Sequence, residues 1–316
     1  MKMTAKDIYD KLIATGIYSF QGNISFDFGG ININVCQKDV VGNIIQEWLQ
    51  KWFENNNIDY TPNKNSQMPP DFFLDPDDLT HNMLEVKAFN YENAPGFDIA
   101  DFKMYAKEIQ ERPYMLDIDY LIFGYSMDST GSVTIKEVWL KKVWEITRRG
   151  DDYPLSLQVK NKQIHKIRPA IWYHDKQKVD FTTFSSLDDF ISAIDETLHQ
   201  ARDQMGDINT TKWLSILKKK YKSFTGIDLN IRRWDEIKDQ YNAKAERKKA
   251  KLTAERDNAL KRVNDAKEMV KKYKKELSNV QSPNQQAQKR LSTAQASLEK
   301  AQKKFKKVQR ELKKLN

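Results

Sequence analysis

The chain has 316 residues, of which 39% are apolar, and its 53 Lys and Arg against 44 Asp and Glu give a formal net charge of +9. No apolar run approaches the roughly 18 residues that a membrane span needs, and the charged first ten residues differ from a secretory signal. These features exclude a transmembrane protein and argue against export. Because Cys36 is the single cysteine, we expect no disulfide, a cytoplasmic protein, and a Cys36 side chain buried in a strand.

The positive charge is concentrated at the C-terminal end. Residues 241–316 contain 23 Lys and Arg and 8 Asp and Glu, a balance of +15, which leaves residues 1–240 with a balance of −6. We therefore expect one domain over residues 1–240 and a basic tail over residues 241–316. The overall charge does not by itself support binding of nucleic acid by the first domain.

The first domain alternates between predicted helices and strands. Helical periodicity occurs in residues 4–14, 40–55, 98–111, 142–149 and 186–202. Strand-like patterns occur in residues 83–89, 119–125 and 133–140. Hairpins are predicted over residues 23–35, where Gly29-Gly30 forms the turn, and over residues 155–173. This alternation favours an α/β core.

The tail has the spacing of a coiled coil. Apolar or small residues recur at alternating intervals of four and three from Ala259 to Val280, and again from Ala287 to Leu315. Ser282-Pro283-Asn284 interrupts the pattern, which predicts an α-helical coiled-coil hairpin that turns at residues 282–284. Two continuous strands of a dimer are the alternative. The lysines either keep the coiled coil soluble or form an arm that embraces DNA.

The pair Pro69-Pro70 precedes three candidate catalytic residues, Asp71, Glu85 and Lys87. Asp71 opens one apolar run, and Glu85 and Lys87 lie two positions apart on a predicted strand. Side chains two apart on a strand point to the same face, so Glu85 and Lys87 share one face. Because a tight turn separates the two runs, we expect Asp71 to lie beside Glu85 on a neighbouring strand.

Phosphodiester hydrolysis uses this combination of side chains. Carboxylates hold Mg²⁺, which prefers oxygen ligands and lowers the pKa of a bound water. A neighbouring lysine positions or deprotonates that water and stabilises charge on the phosphate. We assign Asp71 and Glu85 as metal ligands, the Val86 carbonyl as a third ligand and Lys87 as the catalytic amine.

Glu47, on the preceding predicted helix, is a further candidate ligand for the metal or its water. An exposed helix carboxylate is an equally good interpretation of Glu47. The pattern of the other three residues is also weak by itself, because Glu-x-Lys is frequent in a chain with 31% charged residues. A surface Asp71 and a solvated pair of Glu85 and Lys87 are the simpler interpretation of those residues alone.

Six longer runs resemble Type II restriction endonucleases of the NgoBV kind. The resemblance covers residues 5–200 and is far more specific than the catalytic pattern. The runs are DVVGNIIQEW at 39–48, PPDFFL at 69–74, LEVKAF at 84–89, DYLIFGY at 119–125, VWLKK at 138–142 and IRPA at 167–170.

This resemblance implies a PD-(D/E)XK nuclease core, in which a central mixed sheet is flanked by helices. It implies Mg²⁺-dependent cleavage of double-stranded DNA at a short palindrome of the form GGNNCC. Asp71, Glu85 and Lys87 match the nuclease triad, and Glu47 occupies the helix position. A homodimer is expected because a palindrome mirrors two-fold symmetry, and a cognate DNA methyltransferase is expected to protect the host DNA. The basic tail departs from the family pattern.

A local basic cluster is the best candidate for contact with DNA. Lys160, Lys162, Lys166 and Arg168 lie close together on the predicted hairpin over residues 155–173. Lys and Arg neutralise phosphates and bind the O6 and N7 atoms of guanine. An exposed, charged hairpin is the alternative interpretation.

Two other functions remain open at this point. One is a structure-specific repair or junction nuclease, which would use the same triad without sequence specificity. The other is a non-catalytic DNA-binding protein that acts through its coiled-coil tail. The complete set of Asp71, Glu85 and Lys87 argues against the second function.

Overall fold

The computed structural model describes residues 1–65, 68–173, 182–278 and 285–313. It divides into two compact units, Met1–Tyr241 and Asn242–Asn316. No helix within the described ranges is long and apolar enough to cross a membrane.

The first unit alternates between helices and strands, as the sequence predicts. Its helices are α1 (Ala5–Ala14), α2 (Val41–Asn55), α3 (Phe102–Glu111), α4 (Leu187–Gln200), α5 (Trp213–Thr225) and α6 (Trp234–Ile237). Its strands are β1 (Gln21–Asn23), β2 (Ser25–Phe28), β3 (Ile31–Asn34), β4 (Thr61–Pro62), β5 (Phe72–Phe73), β6 (Met83–Asn90), β7 (Asp119–Met127), β8 (Ser132–Lys142), β9 (Leu157–Lys160) and β10 (Gln163–Ile167). The predicted α/β class is therefore confirmed.

Six of these strands form one mixed sheet in the order β1-β8-β7-β6-β5-β4. Strand β6 runs parallel to β7, with Glu85 beside Tyr120, and the other neighbours in the sheet are antiparallel. Two parallel strands need a crossover connection, and α3 lies in the connection between β6 and β7. This arrangement puts β6 at an interior position of the sheet.

Both faces of the central strands are buried. On β7, Tyr120 and Ile122 belong to one hydrophobic cluster with residues of α3 and α4. Leu121 and Phe123, which point to the opposite face, belong to a second cluster with residues of α1 and α2. Successive side chains of a strand alternate between faces, so a continuous apolar run packs helices on both sides.

Polar side chains fix where several helices begin. Thr4 accepts a hydrogen bond from the Asp7 N–H at the start of α1, and Ser186 accepts one from the Asp189 N–H at the start of α4. Asp101 accepts one from the Met104 N–H, so α3 begins at Phe102 rather than at residue 98 as the periodicity suggests. Such caps satisfy N–H groups that have no partner within the helix.

Two short antiparallel ribbons lie outside the main sheet. One is β2–β3, which turns at Gly29-Gly30, and the other is β9–β10. Both correspond to predicted hairpins. The prediction for Cys36 is wrong, because this residue follows β3 in an irregular segment and its side chain is exposed.

The second unit contains two long helices, α7 (Ala243–Ser278) and α8 (Gln285–Lys313). Leu252, near the start of α7, packs with Val308 and Leu312, near the end of α8. Residues 266–273 of α7 face residues 286–297 of α8. The helices therefore pack antiparallel. The predicted turn at residues 282–284 lies outside the described residues.

Candidate active site

A cleft of about 740 Å³ opens beside β6 in the first unit. We call it the polar cleft, because carboxylate, amide and amine side chains contribute much of its lining. Its polar lining residues include Asn43, Gln46, Asp71, Glu85, Lys87, Asn90, Asn93, Asp98, Asp101 and Lys166.

Strand β6 places Glu85 and Lys87 together. Their side chains share one face of the strand, and the Lys87 Nζ lies 2.7 Å from the Glu85 Oε1. Glu85 is only 5% exposed, whereas Leu84 and Val86 point to the other face and are buried in its hydrophobic cluster. A solvated Glu–Lys pair is therefore excluded, since the pair is held inside the cleft.

Asp71 reaches the same place from the next strand. It directly precedes β5, whose Phe72 pairs with Leu84 of β6. The Val86 N–H donates to the Asp71 Oδ2 at 2.7 Å, and the Gln46 Nε2 donates to the Asp71 Oδ1 at 2.8 Å. These two hydrogen bonds fix both oxygens of the carboxylate beside Glu85 and Lys87.

The Val86 carbonyl is directed to the same side of the strand. Within a β-strand the N–H and the C=O of one residue point towards the same neighbour. Since the Val86 N–H points to Asp71, its carbonyl oxygen is also aimed at the edge where Asp71 lies. The arrangement therefore joins one backbone oxygen to the two carboxylates.

Burial alters the titration of all three side chains. The pKa of Glu85 is raised to about 7, mainly because burial removes the carboxylate from water; the positive charge of Lys87 opposes this shift and the negative charge of Asp71 adds to it. Desolvation also raises the pKa of Asp71, against the Val86 N–H and Lys87. For Lys87 desolvation acts to lower the pKa, but the attraction of Glu85 outweighs it and the pKa is raised.

Two buried polar atoms at this cleft have no hydrogen-bond partner. They are the Glu85 Oε2 and the Tyr105 hydroxyl, and both residues line the cleft. A buried carboxylate oxygen without a partner is unfavourable and calls for a ligand, a water or an ion. A Mg²⁺ ion fits this donor set, because it prefers oxygen ligands and is commonly bound by one or two carboxylates with water completing its shell. No group of three or more His, Cys, Asp and Glu able to hold a metal occurs in the described residues.

Comparisons with known proteins identify the family of this chain. The family model for NgoBV restriction endonuclease matches residues 2–241. The chain is 50% identical over 245 residues to the Type II restriction enzyme NlaIV of Neisseria lactamica, which covers 77% of this chain and 100% of that protein. The chain belongs to the NgoBV restriction endonuclease family.

Two further comparisons support the assignment. The Type II restriction enzyme NgoBV of Neisseria gonorrhoeae is 50% identical over 161 residues, 51% of this chain and 91% of that protein. A solved structure of NlaIV restriction endonuclease matches with a TM-score of 0.73 and 50% identity, over 77% of this chain and 98% of that one. The endonuclease is therefore a Type II restriction enzyme, which cleaves double-stranded DNA at specific sites. The resemblance read from the sequence is confirmed.

The structure does not bring Glu47 to the site. Glu47 is exposed on α2 and does not line the polar cleft. Neighbouring residues of a helix point about 100° apart, so the residue before Glu47 projects in a different direction, towards the cleft. On α2 of the endonuclease that residue is Gln46, which bonds to Asp71. The helical spacing in the sequence indicates the orientation of Gln46, because Gly42 and Gln46 lie four residues apart and share one face of α2.

The predicted DNA-binding residues lie on the β9–β10 ribbon. Lys166 lines the polar cleft, and its Nζ is 3.9 Å from the Asp101 Oδ2. Arg168 pairs with Asp98, another cleft residue. Lys160 and Lys162 are exposed at the turn of the ribbon and do not line the cleft. The structure thus brings one of the four basic residues, Lys166, to the wall of the cleft, and Arg168 only pairs with a residue of that wall.

Proposed function

We propose that the endonuclease hydrolyses DNA phosphodiester bonds with Mg²⁺ in the polar cleft. Asp71, Glu85 and the Val86 carbonyl would hold the ion. The observation that carries this proposal is the buried Glu85 carboxylate, which has one oxygen paired with Lys87 and the other oxygen free beside Asp71. Glu47 is left out of the set because it is exposed away from the cleft.

Each side chain then has a defined task. When bound, Mg²⁺ stabilises negative charge on the scissile phosphate and lowers the pKa of the attacking water. The Lys87 ammonium, held by Glu85, orients that water and stabilises the pentacovalent phosphate. Gln46 and the Val86 N–H hold the Asp71 carboxylate in one orientation, which keeps its oxygens directed into the site.

The proposed substrate is double-stranded DNA with a palindrome of the form GGNNCC, as the family resemblance suggests. A palindrome mirrors a two-fold axis, so we propose that the endonuclease acts as a homodimer. Lys160, Lys162, Lys166 and Arg168 are proposed to contact this DNA, since their ribbon adjoins the cleft and guanine offers O6 and N7 to Lys and Arg.

The finer assignments of architecture are proposed on the same basis. The mixed sheet with helices on both faces and the triad at β5 and β6 support a PD-(D/E)XK core within residues 1–240. The antiparallel packing of α7 on α8 supports a coiled-coil hairpin in residues 241–316. A cytoplasmic restriction system with a cognate DNA methyltransferase completes the proposal.

The test is incubation of the full-length protein with MgCl₂ and plasmid DNA that carries a single GGNNCC site. One linear product is expected, no cleavage is expected of a plasmid without the site, and sequencing the ends gives the cut position. Asp71→Ala and Lys87→Ala should each slow cleavage at least about 100-fold. Glu47→Ala, the matched control from α2, should cleave like the wild type.

Other results would separate the alternatives. Full cleavage by Asp71→Ala would overturn the proposed site. Smeared or structure-dependent products would favour a repair or junction nuclease over the GGNNCC assignment. Binding of DNA without metal-dependent cleavage of any substrate would remove the proposed chemistry altogether.

A further inference from the structure

The two helices of the second unit lie beyond the part of the chain that the family model matches. That match ends at residue 241, so α7 and α8 have no counterpart in it. Residues 241–316 carry 23 Lys and Arg against 8 Asp and Glu. A role for this unit therefore has to come from its own surface.

The charged side chains of this unit lie outside the seam between its helices. The buried part of the seam consists of apolar and small side chains, such as Ala266 of α7 and Val308 of α8. Every Lys and Arg that the structure describes between residues 261 and 313 is exposed. The positive charge is therefore available at the surface of the unit.

Few of these charges are neutralised within the unit. Two ion pairs join its described side chains: the Lys303 Nζ lies 2.8 Å from the Glu299 Oε1, and an Arg256 guanidinium nitrogen lies 2.7 Å from the Asp257 Oδ1. Each pair lies within one helix, whereas the charges that fix the pairing of a coiled coil form salt bridges between helices. The described lysines therefore carry charge that the packing of α7 on α8 does not use.

Four basic side chains form a row along α8. Lys300, Lys303, Lys307 and Arg310 follow each other at intervals of three, four and three residues. Positions three or four apart lie on the same face of a helix, and at 1.5 Å per residue the row extends roughly 15 Å along the axis. All four side chains are exposed, and Glu299 pairs with Lys303 alone. We call this row the α8 stripe.

Helix α7 carries a shorter row of the same kind. Lys267, Lys271 and Lys274 are spaced by four and three residues, and all three are exposed. None of them forms an ion pair with another described side chain of the unit. We call this row the α7 stripe. Each helix thus presents positive charges at fixed spacing on one of its faces.

The rest of this surface does not suit a single nucleic-acid strand or a membrane. The two aromatic residues of the unit, Tyr273 and Phe305, are half-buried, so neither offers an exposed face on which unpaired bases would stack. The exposed apolar residues of α7 that the structure describes, Leu260 and Met269, are nine positions apart and point to opposite sides of the helix. A helix that lies on a membrane needs a continuous apolar face instead.

Double-stranded DNA offers the complementary array of charges. It carries one negative charge per roughly 1.7 Å of its axis, and Lys and Arg that neutralise its phosphates release condensed counterions. An acidic peptide would have to be ordered on the stripes, which costs conformational entropy. A duplex is already rigid, so straight rows of charge on two helices can bind it without that cost.

We propose that the α7 and α8 stripes bind the phosphate backbone of double-stranded DNA without regard to its sequence. The second unit would then hold the endonuclease on DNA that lacks a recognition site, and it would raise the effective concentration of DNA for the first unit. This binding requires neither the proposed Mg²⁺ ion nor the proposed GGNNCC sequence.

The experiment is a titration of a fluorescent duplex of about 40 bp without GGNNCC by the full-length, metal-free protein, followed by anisotropy at about 0.1 M salt. The test variant is Lys300→Gln/Lys303→Gln/Lys307→Gln/Arg310→Gln, because Gln forms helices about as well as Lys. Its Kd should be at least about 10-fold higher than that of the wild type. The slope of log K against log salt should fall by about 3, since close to one counterion is released per phosphate contact.

Two control variants separate a direct contact from other causes. Lys300→Arg/Lys303→Arg/Lys307→Arg keeps the charge of the α8 stripe and should keep the wild-type Kd and salt slope. Removing four charges from the first unit should change the Kd by less than about 3-fold, because these lysines lie outside the stripes. The lysines replaced by Gln in this second control are Lys11, Lys51, Lys136 and Lys212. Circular dichroism of all variants should match the wild type.

A wild-type Kd and salt slope in the Gln variant of the α8 stripe would overturn the proposal. An equal loss of affinity in the first-unit control would make net charge the cause, and a weak Arg variant would make helix structure the cause. Tighter binding of a single strand than of the duplex, or of phosphatidylserine vesicles than of DNA, would give the stripes another partner. Because the protein is metal-free and the duplex has no recognition site, each of these results leaves the proposed cleavage chemistry standing.

Discussion

Strand β6 buries the charged side chains of Glu85 and Lys87, whereas the β2–β3 ribbon leaves Phe28 and Ile31 in solvent. Both segments depart from the usual distribution of polar and apolar residues, in opposite directions. A buried charge costs free energy unless it is paired, and an exposed apolar face costs free energy unless it is covered. The first departure supports a catalytic site and the second supports an interface, so neither is explained by the stability of the single chain.

The largest expected effect comes from making β6 apolar. Replacing Glu85 and Lys87 together by Met should slow DNA cleavage by about 1,000-fold or more. The free energy of unfolding should stay the same or increase, since apolar side chains of similar volume often replace a buried ion pair without loss. Plasmid cleavage and urea unfolding of the metal-free protein measure the two effects. Replacing the exposed pair of Lys51 and Glu54 by Met is the control. A strong loss of stability in the β6 double variant would contradict the view that Glu85 and Lys87 serve catalysis rather than folding.

The next effect comes from removing one member of the pair. Lys87→Met should destabilise the metal-free protein by about 3 kcal/mol at pH 8, because the Glu85 carboxylate is left buried without its partner. The loss should be smaller at pH 6, where Glu85, whose pKa is raised to about 7 even with Lys87 present, takes up a proton. Urea unfolding at the two pH values checks this difference. Lys51→Met should change stability by less than about 0.5 kcal/mol at either pH.

Mg²⁺ should stabilise the folded protein more at high pH than at low pH. The pKa of Glu85 is raised from 4.5 to about 7, so the folded state holds a proton that the unfolded chain has released. This carboxyl therefore makes the metal-free protein less stable as the pH rises from 4.5 to 7. A cation that replaces the proton is favoured above pH 7, and the rise in Tm with MgCl₂ should be larger at pH 8 than at pH 6. Glu85→Gln should make the rise in Tm with MgCl₂ the same at both pH values. An equal rise at pH 6 and pH 8 in the wild type would contradict the assignment of Glu85 as a metal ligand.

The smallest expected effect concerns the ribbon. Phe28→Ser should change the free energy of unfolding by less than about 0.5 kcal/mol under conditions where the chain is monomeric, because the ring makes few contacts. Phe53→Ser, in the buried cluster beneath α2, should cost about 3 kcal/mol or more. Urea unfolding at low protein concentration compares the two variants. A large loss for Phe28→Ser would mean that the ribbon is covered within its own chain.

Local sequence patterns predict most of the fold of the first unit. The continuous apolar run at residues 119–125 identifies β7 as a buried strand, and the spacing of Glu85 and Lys87 is sufficient to place both on one face of β6. Asp71 could be paired with them because only a short segment separates the two runs. These inferences succeed because they depend on periodicity and on contacts between neighbouring strands.

Other features depend on tertiary contacts that periodicity does not specify. Whether Gln46 or Glu47 faces Asp71 depends on how α2 is rotated about its own axis relative to β5. A rotation of less than one third of a turn exchanges the two side chains. The hairpin at residues 23–35 is predictable from Gly29-Gly30, but the exposure of its apolar face is not, since alternation is typical of strands with a covered face. The prediction for Cys36 is wrong for a related reason: a strand pattern does not show where the strand ends, and β3 ends at Asn34, two residues before Cys36.

The packing of α7 on α8 has a consequence for the response to ionic strength. The buried side chains along this seam include Ala259, Ala266 and Ala294, which contribute little apolar area, while residues 241–316 carry a balance of +15. Mutual repulsion of the lysines therefore opposes the pairing of the helices. Added salt shortens the screening length from about 10 Å at 0.1 M to about 3 Å at 1 M, so it strengthens this pairing. The same salt weakens the attraction of these lysines to a polyanion, and ionic strength thus drives the folding of this unit and its electrostatic attraction in opposite directions.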